Sequence, residues 1–381
     1  MTPTNEVEAL SLRQGARLAV EGANRTLSEK VRLVVRGRAG QWGTESDEVS
    51  SLALDEQVSA IIAPPGGAAS HQVLQVAGRT RVPVISLCPD SSVTGTGIPW
   101  IVRIVPRTDE QALAVFSAWT TNRLGHPLRW AAIVPEGRAG RETSRDLMSA
   151  ARNARCSLDE PVALSQPPID WRPLLKMLLA NRPDGILVWM EARRGGHLVR
   201  SLRDAGFGGL LAGPESLQSR TFLQSTGPAA EGFVIPVIVP TDESRRRTRI
   251  FSEAHRRQFG SEPDFTATMA HDAAALLIQL SLATPHGPPF GWFPLQGRFA
   301  GASGELEFDG NGNRILRLGL CERRNGRFVP LANVPPSSER SLVTRPLDEP
   351  QVGVCSPGFS RLGPPKGGTT NLPRVVHPKV S

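Results

Sequence analysis

Short apolar runs alternate along most of this chain with stretches whose apolar positions recur at helical spacing. Residues 58–105 show the alternation most clearly. A strand over residues 59–63 leads through Pro64-Pro65-Gly66-Gly67 into a short helix. A second strand over residues 82–87, a long polar loop and a third strand beginning near Trp100 follow. Strands alternating with helices predict a parallel sheet. In open sheets of that kind ligands bind outside the carboxyl ends of the strands. Gly66-Gly67 and Asp90-Ser91-Ser92 fall at those ends, so both loops are expected to open toward one cleft.

The same alternation extends in both directions. Leu12, Ala16, Ala19 and Ala23 form one stripe of a first helix, and a strand over residues 31–35 and a helix over residues 45–55 come next. Beyond residue 105 the pattern predicts helices over 109–124, 141–154, 171–181 and 196–205. Strands are predicted over 130–134, 162–164, 185–189, 210–213 and 232–239. Two further helices, 243–259 and 266–283, precede a change of period. Residues 304–308, 315–321 and 327–331 alternate with period two, and Asp309-Gly310 and Asn325-Gly326 supply hairpin turns. Residues 335–381 are rich in Pro, Ser, Gly and basic residues without periodicity, which predicts a disordered tail.

At 381 residues and 39% hydrophobic content the chain can form two sizeable cores. Its apolar runs are strand-sized, far short of the roughly 20 residues of a membrane helix. MTPTNEVEAL carries two Glu and no basic region before an apolar core, so no secretory signal is read there; taken literally, that places the chain in the cytoplasm. The net charge of +8 comes from Arg spread through every segment, only four of the 44 basic residues being Lys. With acids interspersed and no aromatic stacking platform, a solvated basic surface is expected and nucleic acid is not. Cys88, Cys156, Cys321 and Cys355 lie far apart and form no metal-ligand spacing. No metal or cofactor is expected.

GARLAVEGAN at 15–24, SAIIAPPGGAAS at 59–70, VPVISL at 82–87, RPDGILVWM at 182–190 and SLRDAGFGGLLAG at 201–213 stand in a telling order. AAEGFVI at 229–235, FSEAHRRQFGSEPDFTATMAHDAAALL at 251–277 and GASGELEFDGNGNR at 301–314 complete it. In order and spacing these stretches resemble the Leu/Ile/Val-binding branch of the type I periplasmic binding proteins, the substrate-binding components of branched-chain amino-acid ABC transporters. The resemblance covers about residues 10–332. It implies two doubly wound parallel-sheet lobes joined by three crossovers, closing on a small ligand: residues 1–106 with 241–296, and residues 107–240 with 297–334. It implies a periplasmic setting and a transporter permease as partner. The fold's first strand has no counterpart here, because only eleven mostly polar residues precede Leu12. Lobe one is therefore expected to be gapped, or repaired by closing its neighbouring strands together, and an upstream start is expected.

The resemblance also implies a ligand site. Gly66, Gly67 and Ala68 match positions where the family offers backbone N–H groups and hydroxyls to a carboxylate; here only the amides remain, unless the glycines simply permit a tight turn. Asp90 and Ser91 stand in the second loop, where an ionised Asp90 favours a cationic group or else caps the following turn. Ala139 and Glu191 match positions where the second lobe often offers aromatic residues. With no Tyr in the chain, stacking falls to Trp42, Trp100 or Trp189, the last two being equally strand core. Glu215 matches the acid that holds a ligand's ammonium. His71 and His271-Asp272 lack the partners of a catalytic site, and Pro64-Pro65-Gly66-Gly67 is no phosphate loop, so catalysis is not expected. The functional expectation is solute binding for an ABC importer. The alternatives are a ligand-sensing regulatory module of the same fold and a truncated member that binds nothing.

Overall fold

The computed structural model describes residues 3–36, 44–120, 127–165, 170–283 and 289–331. Helix α1 (Pro3–Asn24) buries Ala16, Leu18, Ala19 and Val20, so the expected apolar face is present on a helix that starts earlier than Leu12. Residues 31–36 follow without regular secondary structure and, among the described residues, pair with no strand, which corrects the strand expected over 31–35. A cavity lies between these residues and residues 57–62. Helix α2 (Thr44–Ser50) runs into a π-helical turn (Ser51–Asp55).

The first sheet comprises β1 (Ile61–Ala63), β2 (Val84–Ser86) and β3 (Ile101–Arg103), all parallel, with α3 (Gly67–Thr80) crossing between β1 and β2. Its strands are short and nearly all buried, as parallel strands covered on both faces must be. No strand precedes α1 among the described residues.

After α4 (Thr108–Ala118) the second lobe begins with β4 (Arg129–Pro135) and α5 (Arg138–Ala154). It continues through β5 (Ser157–Leu158), β6 (Val162–Leu164), α6 (Trp171–Ala180), β7 (Gly185–Val188) and α7 (Ala192–Asp204). Then come β8 (Leu210–Ala212), α8 (Arg220–Thr226) and β9 (Phe233–Ile238). Along β4, Trp130, Ala132 and Val134 enter a core with Phe116 and Leu147, while Ala131 and Ile133 enter another with Ile186, Leu198 and Phe222. Period-two alternation thus feeds two apolar layers, with α4 and α5 in one and α6, α7 and α8 in the other. The short β5 and α8 are elements the pattern does not signal.

The chain returns to the first lobe with α9 (Asp242–Phe259) and α10 (Phe265–Ala283). There β10 (Phe299–Gly301), β11 (Gly304–Phe308) and β12 (Arg314–Ile315) form an antiparallel sheet. Leu306 and Phe308 of β11 pack with Ile85, Val102 and Met269. Finally β13 (Leu318–Arg324) pairs antiparallel with β9, and β14 (Arg327–Pro330) closes a hairpin on it; Asn325 and Gly326 have φ of 49° and 78°, as a tight primed turn requires. Residues 297–334, expected as one block with the second lobe, therefore divide: β10 to β12 lie on the first core, and β13 and β14 extend the second sheet to the order β14-β13-β9-β8-β7-β4-β5, β6 also pairing with β4. The connection passes between the cores after β3, after β9 and between β12 and β13. The expected tail, residues 335–381, and Trp42 lie outside the described residues.

Candidate functional site

The carboxyl ends of the first sheet bring together the two loops expected there. Gly66, in extended conformation, is the N-cap of α3, and Ala68 lies in that helix's first turn. A Cβ on Gly67 would stand 3.5 Å from Asp90 Oδ2 and 3.9 Å from Cys88 Sγ, so the helix start abuts the second loop. Asp90 caps the 3-10 turn that follows: its Oδ1 accepts from the Ser92 N–H at 2.9 Å and from Ser92 Oγ at 2.8 Å. The Asx alternative is the one observed. His71 Nε2 lies 2.9 Å from Ser92 Oγ and 3.5 Å from Asp90 Oδ2, which ties α3 to the same loop. Burial pushes the Cys88 thiol up to about 12, so it stays protonated beside this cluster.

Arg103, fully buried on β3, fixes the loop from beneath. It donates to the Asp90 carbonyl at 2.5 Å, to Thr94 Oγ1 at 2.9 Å and to Asn313 Oδ1. The loop's conformation is therefore held from β3 and from residues before β12, more than 200 positions away in sequence.

Ser91 points the other way. Its hydroxyl donates to Asp146 Oδ1 on α5 at 2.9 Å, a hydrogen bond from one lobe to the other. Asp146 is 5% exposed and its Oδ2 has no hydrogen-bond partner. Burial pushes its carboxyl up to about 6; the Ser91 bond opposes the rise, the charges of Asp109 and Asp90 add to it, and Arg145 opposes it. Sequence reasoning missed Asp146 because it sits mid-helix, where a carboxylate reads as a solvated face.

In the second lobe Glu191 and Glu215 follow β7 and β8, again at carboxyl ends. Glu191 is the N-cap of α7 and accepts from the N–H groups of Arg193 at 3.1 Å and Arg194 at 2.8 Å. Its negative charge reaches Glu8 on α1, whose own carboxyl is raised by burial first, then by Asp264 and by Glu191.

Glu215 opens a 3-10 turn (Glu215–Leu217) and is 3% exposed. Its backbone N–H donates to Gln111 Oε1 at 3.1 Å, but neither side-chain oxygen has a hydrogen-bond partner. Burial holds its carboxyl well above the usual carboxylate range, Arg314 draws it back and Glu110 pushes it further. Arg314, buried in the first lobe, donates to the Glu305 and Ile104 carbonyls and to Ser303 Oγ.

Other expected residues do structural work. Ala139 is exposed on the first turn of α5. Trp189 is 6% exposed in the second lobe's core, and Trp100 donates its indole N–H to the Ala77 carbonyl at 3.1 Å. Asp272, fully buried, accepts from the N–H groups of Ala302 and Ser303 and from Ser303 Oγ, with His271 Nδ1 at 3.1 Å. Burial would raise it, but His271 and Ser303 outweigh burial and hold it below its ordinary value. Beside Asp146, a depression of about 440 Å³ is lined by Ser144, Arg141 and Arg145 of α5 with Glu136 and Glu160.

The sequence profile described as Periplasmic binding protein matches residues 3–287. A leucine-binding protein LivK from Thermotoga maritima superposes with a TM-score of 0.73 at 21% identity, covering 84% of this chain and 92% of its own. LivJ from Streptococcus pneumoniae, solved with isoleucine, gives 0.73 at 17% identity, covering 84% and 94%. An ABC-transporter solute-binding protein from R. palustris, solved with benzoate, gives 0.75 at 17% identity, covering 86% and 91%. No curated protein sequence matches. With two α/β lobes of the type I fold and a profile match over most of its length, the chain belongs to the periplasmic binding protein family.

Proposed function

We propose that this protein is the solute-binding component of an ABC importer and that it captures a small polar ligand, an amino acid or related amine, between its lobes. The observation that carries the reading is Glu215, a buried carboxyl without a hydrogen-bond partner at the carboxyl end of β8, where the second lobe meets Arg314 of the first. An ammonium group arriving beside Glu215 favours its charged form, because the new charge pair offsets the desolvation that raises this carboxyl. The amides at Gly66, Gly67 and Ala68, at the start of the fourteen-residue helix α3, suit the ligand's carboxylate. Asp90 and Ser91 set the edge of the pocket on that side, and Glu191 adds negative potential opposite. The setting is periplasmic and the partner is a permease, as in the family; among the described residues no helix is long and apolar enough to cross a membrane.

Thermal-shift screening against amino acids, amines and ammonium-free carboxylates, followed by calorimetry, tests this. Ammonium-bearing compounds are expected to stabilise the protein, and Glu215→Gln is expected to weaken them at least tenfold without lowering the melting temperature. Stabilisation by benzoate-like acids alone, unaffected by Glu215→Gln, would contradict the ligand class; no stabilisation by any compound would contradict solute binding.

A further inference from the structure

The hydrogen bond from Ser91 to Asp146 joins the loop after β2 to α5, and it exists only while the lobes are together. The carboxyl that receives it is poorly placed to carry charge. Asp146 is 5% exposed, and its Oδ2 has no hydrogen-bond partner. Three charged groups face it. Asp109 stands on α4, which shares a core with α5; both of its oxygens accept from Arg107, at 2.8 and 3.0 Å, so that cation is engaged within its own turn. Asp90 stands in the loop that carries Ser91, with His71 Nε2 3.5 Å from its Oδ2. On Asp146's own helix, Arg145 approaches to 3.9 Å, but its side chain is 59% exposed and it also pairs with Glu142. A cation so screened offsets little of the cost of burying a carboxylate beside two others.

These influences divide by lobe. Asp109 and Arg145 belong to the second lobe and stay with Asp146 whatever the first lobe does. Ser91, Asp90 and the cover that the loop after β2 provides come from the first lobe and leave when the lobes part. Of these, Ser91 favours the anion, whereas burial, the largest influence, and Asp90 favour the acid. Closure therefore favours the protonated carboxyl and opening the ionised one. With the carboxyl at about 6 when the lobes are together, and at most a return to about 3.9 when it meets water, the closed form keeps a proton that the open form has released. The closure constant then falls as pH rises, by up to about tenfold between pH 5 and pH 7.5.

We propose that the lobe junction is a proton-binding site: Asp146 takes up a proton as the lobes close on Ser91, so that solute capture is favoured in mildly acidic surroundings and release in neutral ones. This regulation rests on the solute-binding reading above, but closure can be measured without a solute. Small-angle scattering of the unliganded 381-residue protein from pH 5 to pH 8 tests it. The radius of gyration is expected to grow reversibly with a midpoint near 6. Glu215, held well above the usual carboxylate range, would exchange its proton at higher pH. Asp146→Asn, which keeps an acceptor for Ser91 and has no charge to bury, is expected to hold the smaller radius throughout. A parent radius that does not change with pH overturns the proposal, and that reading needs no variant to fold. An Asp146→Asn protein that opens over the same range as the parent overturns it too, by assigning the response to another group such as His71. Solute binding stands or falls separately: a flat radius in a protein that amino acids stabilise removes the proton site alone, and a pH response in a protein that no compound stabilises removes solute capture alone.

Discussion

Asp146 is where a single side chain registers the contact of two lobes. Its carboxyl is raised to about 6, so between about pH 4 and 6 the folded state holds a proton that the unfolded chain has released, and stability falls as pH rises through that range. Asp146→Asn removes the buried charge but keeps an acceptor for Ser91. It is expected to stabilise the protein by about 1–3 kcal/mol at pH 7.5 and to lose that advantage near pH 4, as urea unfolding at the two pH values would report. Asp272 has the opposite sign: its carboxyl is held low, so its contribution is present above the unfolded value and is lost as pH falls through the folded one. Neither role was legible beforehand. Their partners, Ser91 and Ser303, are 55 and 31 positions away. Asp90 was legible in kind, since an Asx cap depends only on residues two positions on.

At the scale of elements, the period of apolar positions found most of the strands and helices because burial on one or two faces dictates that period. It failed where length or pairing decides. Residues 31–36 carry the composition of a strand, but a strand is defined by a partner, and among the described residues they pair with none. The two-residue β5 and the seven-residue α8 are too short to express a period. Helices α1 and α10 approach closely at Gly15, where a Cβ would lie 2.0 Å from the Ala267 carbonyl oxygen. Because the obstacle is backbone, α1 must move as a unit to admit a methyl group. Gly15→Ala is therefore expected to cost about 3 kcal/mol, the upper end of ordinary overpacking, read as a lower midpoint in chemical denaturation with little change in helical circular dichroism.

At the scale of the molecule, Ser91 and Asp146 join the two lobes through a side-chain hydrogen bond. Ser91→Ala leaves Asp146 Oδ1 without its donor, so the closed arrangement loses stability relative to an open one. Small-angle scattering of the unliganded variant is expected to give a larger radius of gyration than the parent, and a binding ligand is expected to restore it; an unchanged radius would show that this bond does not bias closure. By itself the sequence determined the doubly wound α/β class and the two loops that meet at the carboxyl ends of the first sheet. These depend on local periodicity and on turns that fall where strands end. Only the tertiary structure decided that β10 to β12 stay with the first core while β13 and β14 join the second sheet, since the stretches that form β11, β13 and β14 alternate with the same period. It alone decided that Asp146 and Glu215 are buried without full partners. Burial and pairing are properties of what other segments bring to a residue, and no local pattern records them.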